Sequence, residues 1–354
     1  MNIRTITLTL LLAFPGAVSF AQMTALTAST EATASTVTTE ANTVAAPRMA
    51  VVELSSIYMR ADADYESPLE TQELMGTVVE IVGEKGYWRE ILSPQPYRAW
   101  CTELGIVEMS EGQINDYLKA DKLIYTGLYG HIYECPSTAS PTVCDLVGGD
   151  ILRTVKAGKR WTEVMLPSGK CGFVQSAELR RHEGFRSIAK GEGDSESISD
   201  KEMESIIATA LTLKGVPYLW GGMTPKGADC SGLVRWSYLM NGILLPRNAS
   251  QIIFCGDEVE VEADAAFWDA EARADSEAFL AQMLKRTSKL QRGDLLFFGT
   301  PATAEKGRRV THIGIYLGNG KMIHSSHLVR INSLIPSAPD YYENGYRLLA
   351  ARRL

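Results

Sequence analysis

Residues 217–234 read Pro-Tyr-Leu-Trp-Gly-Gly-Met-Thr-Pro-Lys-Gly-Ala-Asp-Cys-Ser-Gly-Leu-Val, a glycine-rich loop that runs into an apolar segment. Asp229 is a residue type that favours a helix N-cap, and Asn241-Gly242 can end the helix. The pattern therefore predicts a helix whose first turn carries Cys230. The helix dipole and unpaired N–H groups favour a thiolate there. Cys230 is a candidate nucleophile, although a lone cysteine is more often a small core residue.

A second motif is the segment 310–324, Val-Thr-His-Ile-Gly-Ile-Tyr-Leu-Gly-Asn-Gly-Lys-Met-Ile-His, which alternates like a β-hairpin. A three-residue loop, 318–320, places His324 opposite Gly314, diagonal to His312 and on the same face. A two-residue loop would turn His324 away. We predict the three-residue loop, with His312 as the general base and His324 as the group that orients it.

Two alternatives to this assignment stay open. His327 competes with His324 for the orienting role. A zinc site could also use Cys230, His312 and His324, but the chain lacks the C-x-x-C and H-x-x-x-H spacings typical of zinc ligands. We therefore expect neither a metal nor another cofactor.

The N-terminus is typical of a secretory signal peptide: a short n-region with Arg4, an apolar run and a Ser19-Phe20-Ala21 cleavage pattern. The apolar run is too short to span a membrane, and no later segment is apolar enough. We expect an exported protein, periplasmic or extracellular. Loss of Arg4 changes the formal net charge from −7 to −8. An acidic chain of this kind argues against nucleic acid as a partner.

Export also bears on the six cysteines, because disulfides persist outside the cytoplasm. Cys135 and Cys144 are the pair favoured by their proximity in sequence, although connectivity cannot be read from sequence. The oligomeric state is not indicated by the sequence either.

The first half of the chain contains an internal repeat. The segment 76–91 aligns without a gap on 149–164, which pairs Trp88 with Trp161. Each copy reads as short alternating strands separated by glycine turns, which predicts a small β-barrel. Both tryptophans are expected to be core residues.

A helix is predicted next, from the capping box of Ser199 and Glu202 to a stop at Gly215. An acidic stretch and a helix-forming segment, 267–284, follow later as an insertion. The predicted segments are a signal peptide (1–21), a disordered Thr/Ala/Ser-rich tether (22–48), two barrels (49–116 and 117–181), a linker (182–198) and a catalytic domain (199–354) with an insertion at about 256–289.

Six blocks of the sequence stand out together: Pro217-Tyr-x-Trp-Gly-Gly, Asp229-Cys-Ser-Gly-Leu-Val, Leu245-Pro-Arg-Asn-Ala-Ser250, Gly293-Asp-Leu-Leu-Phe-Phe, His312-Ile-Gly-Ile-Tyr-Leu-Gly and Met322-Ile-His324. In this order they closely resemble the NlpC/P60 family of cysteine peptidases. The barrels are similar to bacterial SH3 (SH3b) domains. The resemblance implies an α+β fold, with a papain-like catalytic domain preceded by two SH3b-like β-barrels.

The resemblance also implies roles for further residues. Tyr218 would help to stabilise the oxyanion. Asp229 and Ser231 would contact the amine end of the substrate, with Trp220 and Ser250 lining the pocket. Tyr117 is a candidate contact from outside the catalytic domain, although packing between the barrels explains it equally well.

The layout is similar to γ-D-glutamyl-L-diamino acid endopeptidases, which release L-Ala-γ-D-Glu from wall peptides and use the first SH3b domain to close the pocket. Peptidoglycan-derived peptides are therefore the expected partners, with diaminopimelate or lysine at the third position. Two alternatives are an endopeptidase or amidase acting on intact peptidoglycan, with the barrels as wall anchors, and a non-catalytic wall-binding protein. Joint presence of Cys230, His312 and His324 argues against the last.

Overall fold

The computed structural model describes residues 46–188, 197–261, 273, 276–303 and 306–354. The predicted signal peptide and nearly all of the predicted tether lie outside these residues, as do Phe267 and Trp268 of the insertion. The described part of the chain combines β-sheets with a few helices, so the α+β prediction is confirmed. Within these ranges, no helix has the length and apolar character needed to cross a membrane.

The internal repeat forms two seven-stranded sheets with the same strand order, which agrees with two SH3b-like barrels. In the first sheet the order is β3-β2-β6-β5-β4-β1-β7, and in the second it is β10-β9-β13-β12-β11-β8-β14. The strands are β1 (Arg48–Val52), β2 (Ser56–Arg60), β3 (Leu69–Leu74), β4 (Val78–Lys85), β5 (Trp88–Ser93), β6 (Tyr97–Thr102) and β7 (Ile106–Met109), then β8 (Lys122–Tyr125), β9 (Tyr129–Tyr133), β10 (Thr142–Val147), β11 (Ile151–Lys156), β12 (Trp161–Met165), β13 (Cys171–Gln175) and β14 (Leu179–His182).

The two aligned tryptophans start equivalent strands but differ in burial. Trp88 begins β5 and is buried beneath Tyr65, with ring centroids 4.9 Å apart. Trp161 begins β12 and is only half-buried, with its ring edge-on to Tyr133. The expectation of a core residue therefore holds for Trp88 and is wrong for Trp161, whose side chain is only half-buried.

A short helix, α1 (Glu111–Lys119), connects the barrels and begins at a capping box formed by Ser110 and Gln113. Tyr117 of α1 is buried against Val51, and its hydroxyl donates a hydrogen bond to the Gly76 carbonyl at 2.9 Å. The side chain is thus a packing element of the first barrel.

The C-terminal domain packs helices on a six-stranded sheet of order β19-β24-β20-β21-β22-β23. One face carries α2 and α3, and the other carries α5 and the chain between β23 and β24. The helices are α2 (Asp200–Thr212), α3 (Cys230–Leu239), α4 (Ala249–Ile252) and α5 (Ser276–Thr287); the strands are β15 (Arg186–Ser187), β16 (Met223–Thr224), β17 (Gly227–Ala228), β18 (Ile243–Leu244), β19 (Asp257–Val259), β20 (Leu295–Thr300), β21 (Arg309–Gly318), β22 (Lys321–Ser326), β23 (Leu328–Ser333) and β24 (Leu348–Arg353).

Three sequence features of this domain have the predicted local structure. Helix α2 begins at the capping box of Ser199 and Glu202. Gly215, which follows the end of α2, has a φ of +93°. Within the insertion, the described part of the predicted helical segment forms α5, and Met283 is buried against the outer face of the sheet.

The hairpin of β21 and β22 has the predicted register at its histidines. Ile315 pairs with Ile323, so the next pair along the ladder is Gly314 with His324. The tip differs from the prediction, because Gly318 pairs with Lys321 and a bulge follows. A two-residue turn plus this bulge gives the same register as the predicted three-residue loop.

The first barrel contacts the C-terminal domain through three consecutive residues of β3. Thr71 Oγ1 accepts a hydrogen bond from Arg247 Nε at 2.7 Å, and Gln72 Oε1 accepts one from the Met223 N–H at 2.7 Å. The Glu73 carboxylate lies 3.6 Å from Arg235, and both side chains are buried. These contacts fix the first barrel against the helix that carries Cys230.

All six cysteines lie within the described residues, and each is a free thiol. The predicted Cys135–Cys144 pair is therefore wrong. Cys144 lies opposite Ile132 in the β9–β10 ladder, whereas Cys135 lies in the exposed turn beyond β9. The register thus keeps the two thiols apart.

Two glycines provide a test of how tightly the modules pack. Gly149 and Gly169 both have positive φ, but a Cβ on Gly149 would lie 2.7 Å from Leu74 Cδ1 and 2.9 Å from Leu239 Cδ2, whereas Gly169 faces open space. We expect Gly149→Ala to lower the free energy of unfolding by about 1–3 kcal/mol more than Gly169→Ala. Denaturant titration of both variants measures the difference, and equal losses would contradict close packing at Gly149.

Candidate active site

Asp229 organises the loop that presents Cys230. Its Oδ1 accepts the Gly232 N–H at 2.7 Å, which makes Asp229 the N-cap of α3, as predicted. Arg247 donates to both carboxylate oxygens, at 3.1 and 2.6 Å, and the Gly221 N–H donates to Oδ2. Ser231 Oγ adds a further bond at 3.1 Å. The buried carboxylate thereby has its acceptor positions filled by the protein.

The Cys230 thiol lies at the start of α3, next to the strand that carries His312. Burial raises the pKa of the Cys230 thiol, and the neighbouring Asp229 carboxylate contributes to the rise, to about 12 in all. The backbone N–H groups of Ile313 and Ser231 oppose this rise. The expected thiolate is therefore not the resting form, because burial outweighs the stabilisation from the helix N-terminus.

A hydrogen-bonded chain fixes the tautomers of the two histidines. Asn332 donates its Nδ2–H to the Asp340 carbonyl at 2.7 Å, so its Oδ1 faces His324 Nε2 at 2.9 Å. Because Oδ1 can only accept, His324 carries its proton on Nε2, and its Nδ1 accepts from His312 Nε2 at 2.7 Å. Neutral His312 is then left with an unprotonated Nδ1. The hydrogen bonds from Asn332 through His324 thus leave His312 Nδ1 able to accept a proton.

Aromatic rings shield this pair from water. The Tyr342 ring centroid lies 5.5 Å from that of His312 and 4.7 Å from that of His324, and Phe298 lies 5.8 Å from His312. Burial lowers the pKa of His312 to about 3 and that of His324 to about 4. The thiol and both imidazoles are therefore neutral near pH 7. A proton must leave the thiol as the sulfur attacks.

An open groove of about 500 Å³ lies beside His312 and is lined by Tyr218, His327 and Ser325, among others. Burial raises the pKa of the Tyr218 phenol, and the proximity of Cys230 contributes to the rise. His327 lines this groove, while His324 bonds to His312. The geometry thus gives the orienting position to His324 rather than to the competing His327.

The other residues predicted to contact the substrate differ in how exposed they are. Ser231 is buried and accepts a hydrogen bond from Arg247 at 2.9 Å. Trp220 is 67% exposed on the loop before Gly221, and Ser250 is exposed in α4. Tyr117 is fully buried in the first barrel, so the suggested substrate contact does not fit its position.

Sequence reasoning missed three residues that shape this site: Arg247, Asn332 and Tyr342. Arg247 stood in a recognised block but received no role. Asn332 lies on the face of β23 that neighbours His324. This position can be recognised only when the β22–β23 register is known. Tyr342 comes from an irregular segment, for which no periodicity exists. In the described residues, no cluster of three or more His, Cys, Asp or Glu side chains is suited to a metal ion.

Comparison with known proteins agrees with this geometry. A model of the NlpC/P60 family matches residues 215–346. The C-terminal part of the chain is therefore an NlpC/P60 domain.

Two relatives extend over the barrels as well. A dipeptidyl-peptidase 6 from Lysinibacillus sphaericus is 25% identical over 83% of this chain and 94% of its own length. A gamma-D-glutamyl-L-lysine dipeptidyl-peptidase from Bacillus cereus is 27% identical over 78% of this chain and 73% of its own length. An NlpC/P60 family protein of known structure from Bacillus cereus has a TM-score of 0.63, is 22% identical, and covers 86% of this chain and 99% of its own. At that identity the structural likeness shows the fold alone.

The tautomer chain predicts that Asn332 matters for turnover. Asn332→Leu removes the acceptor for His324 Nε2–H, so His324 can place its proton on Nδ1 and oppose the productive tautomer of His312. We expect kcat to fall on the order of a hundredfold, with KM nearly unchanged. Steady-state kinetics on a wall peptide measures this.

The control for this experiment is Asn332→Asp, which keeps an oxygen acceptor at the same place. It should retain more activity than Asn332→Leu and move the acid limb of the pH profile upward, because a carboxylate favours the imidazolium. If Asn332→Leu kept the wild-type kcat, the hydrogen bonds from Asn332 through His324 would not set the tautomer of His312.

The lowered pKa values of His312 and His324 predict that kcat/KM falls only at unusually low pH. A histidine whose pKa is depressed stays neutral to lower pH, so the base remains available as the pH falls. We expect kcat/KM to hold from pH 7 to about pH 5, whereas an unperturbed histidine would be half protonated near pH 6.5. Circular dichroism over the same range separates inactivation from unfolding. Half-maximal activity at about pH 6.5 in folded protein would contradict burial as the controlling factor.

Proposed function

We propose that the protein is a cysteine peptidase that hydrolyses the γ-D-glutamyl–L-diamino acid bond of peptidoglycan stem peptides, releasing L-Ala-γ-D-Glu from peptides with a free N-terminal L-Ala. The observation that carries the proposal is the thiol of Cys230 at a helix N-terminus beside the His312–His324–Asn332 chain. The names of relatives that match over most of the chain support the substrate class.

The site residues have distinct roles in this reaction. The Cys230 sulfur attacks the γ-carbonyl carbon while its proton passes to His312 Nδ1, and the Tyr218 hydroxyl stabilises the resulting oxyanion. Collapse of the tetrahedral intermediate breaks the amide bond, and the proton on His312 goes to the leaving amine. A water molecule, deprotonated by His312, then hydrolyses the thioester and frees Cys230.

Recognition of a free amine requires a carboxylate with acceptor positions to spare. Asp229 is a poor candidate for the main contact, since five hydrogen bonds from the protein already occupy it. Glu70 of β3 is half-buried, and among the described residues the only hydrogen bond to its carboxylate comes from the Tyr97 hydroxyl, at 2.7 Å.

The position of Glu70 also fits this role. A Cβ placed on Gly221 would lie 3.1 Å from the Glu70 carbonyl carbon, so Glu70 adjoins the loop that carries Trp220. We therefore assign the ammonium contact to Glu70, with Ser231, Trp220 and Ser250 lining the rest of the pocket. The first barrel would then select peptides already released from the glycan.

The proposed place of action is outside the cytoplasm. The N-terminal signal pattern in residues 1–21 supports export, to the periplasm or beyond the cell. The exported enzyme would encounter peptidoglycan peptides in that compartment.

The function is tested by mass-spectrometric digestion of L-Ala-γ-D-Glu-diaminopimelate and its lysine counterpart, each with and without an acetyl cap on the alanine, beside purified sacculi. We expect cleavage of the uncapped peptides only. Glu70→Gln should raise KM for the uncapped peptide at least about tenfold, since an ammonium–carboxylate contact is lost. The matched control, Glu66→Gln, changes an exposed glutamate just before β3 and should behave as wild type.

Cleavage of capped peptides or sacculi at comparable rates would contradict the proposal. It would instead favour a wall endopeptidase whose barrels serve as anchors. An unchanged KM in Glu70→Gln, with selectivity for the free amine intact, would reject the role of Glu70 alone.

A further inference from the structure

The end of β22 and the turn into β23 supply polar groups to the groove beside His312 that the mechanism above leaves unused. Ser326 ends β22, His327 follows it in the turn, and both line the groove. Within the parts of the chain that the structure describes, neither side chain has a hydrogen-bond or ion-pair partner. The Ser325 hydroxyl of the same wall, by contrast, donates to the Ala228 carbonyl at 2.7 Å. Ser326 and His327 are therefore free to bind a group of the substrate.

The backbone of this turn is held in place by the segment that precedes the Cys230 loop. His327 has a φ of +63°, a left-handed conformation that is uncommon for a residue with a Cβ atom. Its carbonyl accepts the Tyr218 N–H at 2.9 Å, and the Val329 N–H donates to the Val216 carbonyl at 2.8 Å. Such conformations persist where surrounding contacts impose them, and they cluster at functional sites. The turn therefore presents the imidazole of His327 from a fixed backbone position.

The proposed reaction brings a carboxylate to this wall. His312 donates its proton to the leaving nitrogen, so that nitrogen must come within hydrogen-bond reach of His312. The leaving nitrogen is bonded to the α-carbon of the diamino acid, and the same α-carbon carries the α-carboxyl group. The amine end of the peptide is bound elsewhere, at Glu70 of the first barrel. The groove beside His312 therefore receives the diamino acid, with its carboxylate close to Ser326 and His327.

A positive charge without a partner lies behind this wall. Arg330 pairs with His324 across the β22–β23 ladder, so its side chain leaves the sheet on the face that carries the two catalytic imidazoles. Burial is the largest cause of the lowered pKa of His312 and of His324, and the charge of Arg330 adds to both shifts. Among the described residues, Arg330 has no carboxylate partner, and its buried Nε has no acceptor. A substrate carboxylate in the groove would be attracted by this charge.

We propose that Ser326 and His327 form a subsite for the free α-carboxylate of the leaving diamino acid, with Arg330 as the nearby positive charge. This inference rests on the proposed function and narrows its substrate. The Ser326 hydroxyl and a ring N–H of His327 can each donate a hydrogen bond to a carboxylate oxygen. A further residue joined to that carboxyl group would convert it into a neutral amide. The subsite therefore favours peptides that end at the diamino acid, and a carboxypeptidase reaction that removes any following residue must supply them.

The test compares steady-state cleavage of L-Ala-γ-D-Glu-L-Lys with that of two amides of the same peptide. The first amide carries a carboxamide at the lysine α-carboxyl group, and the second carries one at the D-glutamyl α-carboxyl group. We expect the lysine amide to raise KM of the wild type at least about tenfold, because its charge-assisted hydrogen bonds are lost. The D-glutamyl amide measures the effect of the other carboxylate close to the scissile bond.

Variants locate the subsite. Ser326→Ala and His327→Gly should each raise KM for the free tripeptide severalfold, with kcat nearly unchanged, and should reduce the discrimination against the lysine amide. The effect of D-glutamyl amidation should stay as in the wild type. Glycine accepts the left-handed backbone at position 327, and Ser326→Thr, which keeps the hydroxyl, should retain the discrimination. His131→Gln changes an exposed histidine of the second barrel and should behave as wild type.

Circular dichroism establishes that each variant is folded, and Ser326→Ala keeps the test informative if His327→Gly is not. A wild type that does not discriminate against the lysine amide would overturn the subsite. Discrimination that persists unchanged in the folded variants, or a loss of the D-glutamyl effect in its place, would overturn it as well. In these cases, selective cleavage of the uncapped peptide would leave the proposed function intact. If the wild type cleaved none of the peptides, both the proposed function and the subsite would be rejected.

Discussion

The buried carboxylate of Asp229 is the interaction on which the site and the docking of the first barrel depend. It caps α3 in front of Cys230, holds the Gly221 backbone and binds Arg247 through both oxygens. Arg247 in turn reaches Thr71 of the first barrel. Removing one partner of such a buried pair typically costs about 3–5 kcal/mol, because a charge is left without compensation. The Asp229–Arg247 ion pair therefore stabilises both the position of Cys230 and the docking of the first barrel.

Burial determines the protonation states of Cys230, His312 and His324. Tyr342 and Phe298 enclose the histidines, which keeps both imidazoles neutral. The same dry environment keeps Cys230 as a thiol. The helix N-terminus and the Ile313 N–H then stabilise negative charge when it develops on sulfur, rather than in the resting enzyme.

The sequence predicted the elements whose signals are local. The capping box of Ser199, the N-cap at Asp229 and the histidine register each follow from spacing within one or two elements. Asn332 and Arg247 escaped prediction, because their roles arise from contacts between segments far apart in the chain. The thiolate was expected from helix geometry alone, and only the packing around Cys230 showed that burial prevails. Tyr117 likewise could be assigned to packing only when its hydroxyl partner, the Gly76 carbonyl, was located.

The most direct test of the account is intact-protein mass spectrometry after rapid acid quenching of the protein with L-Ala-γ-D-Glu-diaminopimelate. We expect a transient adduct with the mass of the acyl group of L-Ala-γ-D-Glu, which peptide digestion maps to Cys230. The Cys230→Ala variant should fold normally, be inactive and lack the adduct. Full turnover by Cys230→Ala, or an adduct on another residue, would show that Cys230 is not the nucleophile.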